Sequence, residues 1–132
     1  FYVSYAKPEL ISDSLMDDMV LFAGEFLDID ECIEINFDGD FEDDNAGYAS
    51  YDEDECAVYI NPQQDKHEII KTFFHEMVHI KQYVKGELIS GEGRNPSRWM
   101  GEEYNTNYYD SPWEQEAYEF EIAMFDIFKE YS

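Results

Sequence analysis

The segment from Asp65 to Gly86 constrains the fold more than any other part of this 132-residue chain. At about 100° per residue, Ile69, Ile70, Phe73, Met77, Ile80 and Val84 fall on one stripe of an α-helix. Asp65 and Glu68 have the spacing of a capping box at its start, and Gly86 supplies a stop. Such a stripe must be covered, so the rest of the chain has to bring a sheet or further helices to that side. The opposite side carries His75 and His79, with Glu68, Thr72 and Gln82 beside them. Residues four apart leave a helix on one face, a turn apart, so both imidazoles address the same point in space. Two ring nitrogens at that spacing reach a single Zn²⁺ at about 2.0–2.1 Å. Glu76 points sideways, where it can take a proton from a water at the metal. A pair of solvated surface histidines is the plainer alternative.

Covering elements are readable on both sides of this helix. Pro8 to Leu27 reads as a helix, with Pro8 in the first turn and Leu15, Met19, Phe22 and Phe26 at helical spacing. Ile33, Ile35 and Phe37 alternate with Glu34, Asn36 and Asp38, the pattern of a half-buried strand. Tyr48 to Tyr51 and Cys56 to Ile60 read as a hairpin around an Asp52–Glu55 turn, and Asn61-Pro62 ends the second strand. Glu87 to Asn107 reads as a long loop holding Gly91, Gly93, Pro96 and Gly101, and Ser111-Pro112 opens a last helix to about Lys129. With no repeat and no linker, residues 1–132 are expected to form a single domain.

A catalytic zinc usually takes three protein ligands and leaves one position for water. The remaining histidine, His67, points away from the His75/His79 face. On the wheel of the last helix, Glu114 falls among Tyr118, Phe125, Ile122, Phe128 and Ala117, and Glu121 is also inward two turns on. Glu116 falls on the side of Glu119 and Asp126 and is expected to face solvent. A carboxylate on an inward face needs a partner, and a metal is one. Ser111-x-x-Glu114 is also a capping-box pattern, so Glu114 has a competing structural role.

His75-Glu76-Met77-Val78-His79, with Glu114-Gln115-Glu116-Ala117 on a later helix, resembles the gluzincin group of zinc peptidases. The phrases Phe73–Tyr83, Trp99-Met100-Gly101 and Pro112–Tyr118 look like those of small phage-type metallopeptidases and minigluzincins. The resemblance covers residues 56 to 125 and rests mainly on the first motif. It implies an α+β, zincin-like fold: an N-terminal helix, a small mixed sheet, the HExxH helix and a C-terminal helix. It implies Zn²⁺ as cofactor, with His75, His79 and Glu114 as ligands and Glu76 as general base in peptide hydrolysis. Tyr108 and Tyr109, shortly before Glu114, are the best candidates for an oxyanion donor, although for either one alone a packing tyrosine is the favoured reading. The strand Cys56–Ile60 is the expected edge for an extended substrate. Tyr118 stands where the group often carries Asp or Asn, so support for a histidine has to come from elsewhere.

Composition narrows the partners. The chain has 32 acidic and 8 basic residues, a net charge of −24. That field opposes binding to nucleic-acid phosphates and anionic membranes and favours solubility or a basic partner. No signal peptide or spanning segment is read, so a cytoplasmic monomer, in a host cell if the source is viral, acting on a peptide or protein is expected. Cys32 and Cys56 are expected to be reduced core thiols, with one disulfide as the alternative. The acidic run from Asp38 to Asn45 offers oxygen ligands for Ca²⁺ without EF-hand spacing, and reads as a solvated loop. Trp99 is either a core anchor or a lid over the cleft. Two other functions compete: a zinc-containing binding module without activity, and an acidic decoy that captures a basic protein.

Overall fold

A computed structural model describes residues 2–3, 9, 11–29, 33–37, 46–52, 55–89, 97–104 and 111–131. The elements follow in the order β1 (Tyr2–Val3), α1 (Asp13–Leu27), β2 (Ile33–Asn36), β3 (Gly47–Asp52), β4 (Glu55–Ile60), α2 (Lys66–Val84), β5 (Leu88–Ile89), β6 (Ser97–Trp99), β7 (Glu102–Tyr104) and α3 (Pro112–Tyr131). The fold is α+β, with the expected succession of N-terminal helix, mixed sheet, motif helix and last helix. No described helix is long and apolar enough to cross a membrane.

Helix α1 starts later than the Pro8 reading, which lies outside the described residues. Ser12 is the N-cap and its hydroxyl accepts from the Leu15 amide at 3.0 Å, an arrangement that satisfies an otherwise orphaned donor. Its buried face is Met16, Met19, Ala23 and Leu27, one residue out of step with the expected stripe, and Phe26 is exposed. Phe22 still reaches Phe74 and Phe128 at 5.5 Å between ring centroids, which ties α1 to both other helices.

The main sheet has the order β1-β2-β4-β3. β2 pairs with β1 and β4 in parallel, and β3 pairs with β4 antiparallel from Gly47↔Ile60 to Asp52↔Glu55. This corrects the expectation for Cys56–Ile60: β4 is hydrogen-bonded on both sides, and among the described strands β3 is the edge on that side of the sheet. Cys56, Val58 and Ile60 point to the core as expected, against Ile69, Phe73 and Met77 of the same buried cluster. Cys56 is a buried thiol, and Cys32 lies outside the described residues.

The stretch 87–107 contains more than a loop. β5, β6 and β7 form a second, antiparallel sheet. Trp99 pairs with Glu102, so the β6–β7 connection has two residues, Met100 at φ 52° and Gly101 at φ 86°. Two successive positive φ values make the type I′ turn that matches strand twist, and Gly101 takes its half without steric cost. Trp99 is buried and packs on Trp113 at 6.4 Å between centroids, so it is an anchor. The acidic run 38–45 and its calcium reading lie outside the described residues.

Candidate metal centre

Helix α2 begins as expected. Asp65 caps it, its carboxylate accepting from the Glu68 amide at 2.9 Å. One side of α2 lies on β3 and β4, and the other runs along α3. Between these contacts stand His75, Glu76 and His79, all buried, with ligand atoms within 4.8 Å of one another. This group can hold a metal ion.

Helix α3 brings Glu114 to the same point. Its Oε1 lies 2.7 Å from His79 Nε2 and its Oε2 3.3 Å from His75 Nε2. Glu114 is 3% exposed, and both of its carboxylate oxygens lie against the imidazoles. Glu116 does not face open water as expected. It is half-buried and holds Lys81 Nζ at 2.9 Å and Gln82 Nε2 at 3.2 Å. The buried arc of α3 is Glu114, Ala117, Met124 and Phe128, whereas Tyr118 and Ile122 are exposed. The covered face is therefore rotated away from the Tyr118–Ile122 side of the expected stripe, and Glu114 stands at its margin, where the cleft opens. His67 is exposed, away from the cluster.

The outer nitrogens of both imidazoles are also engaged. His75 Nδ1 lies 2.9 Å from Glu121 Oε1, and His79 Nδ1 lies 2.9 Å from Gln82 Oε1. Both partners replace the support that Tyr118 cannot give as an acceptor of the usual kind. Tyr118 instead sets its ring edge-on to His75 at 4.7 Å. The sequence held signals for both: Glu121 shares the Glu114 face, and Gln82 sits beside the histidines on the α2 wheel.

Electrostatics in the cluster favour ion pairs in the absence of metal. Burial alone would push His75 down, but hydrogen bonds to Glu114 and Glu121 and the nearby Glu76 charge carry it up to about 9. His79 rises in the same way, against burial, through Glu114 and Glu76. Burial raises Glu114, yet its bonds to His75 and His79 prevail and hold it down at about 2. Glu76 is raised by burial, partly offset by the charges of His79 and His75. A carboxyl lifted towards neutrality is suited to exchange a proton.

The donor set fits a borderline-soft divalent ion. Two imidazole Nε2 atoms and one carboxylate are the chemistry of a three-ligand zinc site with a position to spare. Ligands at about 2.0–2.1 Å in a tetrahedron lie about 3.3 Å apart. The His75–Glu114 separation has that value, and the 2.7 Å His79–Glu114 contact has to open by about half an ångström to match it.

The cluster forms the floor of a cleft of about 710 Å³. Ala46 to Ala49 of the β3 edge make one wall, and Trp113, Tyr118 and Glu121 of α3 make the other. Gly47 allows this closeness: a Cβ there would stand 2.5 Å from the Tyr59 carbonyl oxygen and 2.8 Å from Thr72 Cγ2 of α2. Tyr108 and Tyr109 lie outside the described residues. No family model, no curated protein and no solved structure matches this chain.

Proposed function

We propose that the chain is a zinc-dependent peptidase of gluzincin type. The observation that carries this reading is the convergence of His75 Nε2, His79 Nε2 and the Glu114 carboxylate on one point beside Glu76, at the floor of an open cleft. His75, His79 and Glu114 would hold the ion, which when bound would polarise the scissile carbonyl as a Lewis acid and lower the pKa of a water molecule. The Glu76 carboxylate takes up the proton released as the carbonyl is attacked, and delivers it to the departing amine nitrogen. An extended peptide lies along β3, which walls the cleft beside the cluster. Tyr108 or Tyr109 is assigned the oxyanion-donor role.

An intact Glu76 separates this reading from a binding module, because a purely structural site has no use for a base. The test is metal content together with turnover. The protein as purified should hold about one Zn²⁺ per chain, and His75→Ala or His79→Ala should abolish it. Glu76→Gln should keep the zinc and lose peptide hydrolysis. A zinc-free protein never exposed to chelator counts against the metal, and equal turnover by Glu76→Gln removes the assigned base.

A further inference from the structure

Gln82 is fully buried, and each of its polar atoms has a defined partner. Its Nε2 lies 3.0 Å from the Trp113 carbonyl oxygen and 3.2 Å from Glu116 Oε1. Its Oε1 lies 2.9 Å from His79 Nδ1. A side-chain amide has one accepting end and one donating end, and only the donating end suits a carbonyl and a carboxylate. Turning the amide over would set its oxygen against two acceptors, so the accepting end must face His79. Glu116 is itself held: Lys81 Nζ lies 2.9 Å from its Oε1 and 2.8 Å from Glu87 Oε1, over the Phe120 ring at 5.4 Å. The chain Lys81, Glu116, Gln82, His79 therefore runs from a half-buried lysine to the metal-facing imidazole.

We infer that Gln82 is a positioning residue: it keeps the proton of neutral His79 on Nδ1 and leaves the Nε2 lone pair for the ion. An acceptor at Nδ1 favours the Nδ1–H tautomer, and a metal needs the other nitrogen bare. Glu121, accepting at 2.9 Å from His75 Nδ1, imposes the same tautomer on the first histidine. The two imidazoles are thus poised by different chemistry, a neutral amide for His79 and a carboxylate for His75. The inference rests on the metal reading above.

Two variants separate positioning from a merely structural bridge. Gln82→Met keeps the shape and removes the acceptor and the donors together; Gln82→Glu keeps an acceptor oxygen and removes only the donors to Trp113 and Glu116. Zinc affinity, measured by competition with a chromogenic chelator, should fall about 10–100-fold in Gln82→Met and stay within about threefold of the wild type in Gln82→Glu. A bridge between α2 and α3 is lost in both variants and predicts that both fall alike; that result overturns the inference, as does wild-type affinity in Gln82→Met. Proton–nitrogen spectra of the zinc-loaded wild type give a test that needs no variant. His79 should show a slowly exchanging Nδ1–H; a proton on Nε2 overturns the assignment. A wild type that takes up no zinc overturns the metal reading and this inference together, whereas zinc binding with the wrong tautomer overturns the inference alone.

Discussion

Replacing Glu114 by glutamine, with Glu116→Gln beside it, asks which acidic residue of α3 holds the ion. The carboxylate of Glu114 lies 2.7 Å from His79 Nε2 and 3.3 Å from His75 Nε2, so it stands at the point where an ion would sit. The amide keeps the size but loses the charge opposite a divalent cation. Loss of a residue that only orients a ligand typically costs 10–100-fold in metal affinity. Loss of one of three direct ligands should exceed the upper figure, or more than about 2.8 kcal/mol at about 1.4 kcal/mol per tenfold. Glu116 touches Lys81 and Gln82, and an amide oxygen can accept from both, so Glu116→Gln should stay within about threefold. Chelator competition reads the affinities, and far-ultraviolet circular dichroism of the metal-free forms checks that α3 is intact. Removing a helix cap alone would cost only about 1 kcal/mol of stability and leave the metal in place. Zinc lost from Glu116→Gln and kept by Glu114→Gln would refute the assigned register of α3.

Gly47→Ala should lower stability by about 1–3 kcal/mol, because the new methyl meets the Tyr59 carbonyl oxygen and Thr72 Cγ2 and forces β3 off α2; a melting temperature equal to the wild type would show that the close approach is not needed. The metal-free protein should be most stable between about pH 4.5 and 6.5. His75, raised from 6.5 to about 9, contributes stability that is complete below pH 6.5 and is lost as pH rises through 9. Glu114, lowered from 4.5 to about 2, contributes stability present above pH 4.5 and lost as pH falls towards 2. Thermal unfolding of chelator-treated protein across this range checks both limbs, and a flat profile contradicts the ion-paired cluster.

Helix α2 is readable because its cap, apolar stripe and histidine pair are all local and share one period. The β3–β4 hairpin was readable for the same reason, since alternation and a short turn are local signals. The position of β4 inside the sheet was not, because its parallel pairing with β2 joins strands separated by β3 and 38–45 and leaves no local trace. The wheel of α3 found the stripe but not which arc of it is covered. Tyr118, which lines the cleft, and Ile122 are apolar in body yet exposed, so periodicity alone counts them as core. Met100-Gly101 reads as part of a loop in the sequence, although a two-residue turn with glycine is a hairpin signal. The wheel turns Glu121 inward without a role, because its partner, His75 Nδ1, belongs to another helix and only the packing of α3 on α2 brings them together.

His75, Glu76, His79 and Glu114 are 6%, 6%, 8% and 3% exposed, so four ionisable side chains occupy the seam between α2 and α3. Two helices whose only task was to pack would do better with apolar residues there, since desolvating charges cancels most of what their pairing contributes. Replacing such a group as a whole is often neutral or stabilising by about 1–4 kcal/mol, whereas removing one partner costs about 3–5 kcal/mol. Accordingly, metal-free His75→Leu/Glu76→Leu/His79→Leu/Glu114→Leu should unfold no lower than metal-free wild type near neutral pH. Single Glu114→Leu, which strips two buried imidazoles of the carboxylate between them, should unfold well below both. Calorimetry on chelator-treated proteins gives the order directly. If the fourfold variant falls as far as the single one, the cluster is needed for packing itself and gives no argument for chemistry. If the fourfold variant stands highest, the polar seam lowers stability, and packing does not account for a group that could hold a metal ion.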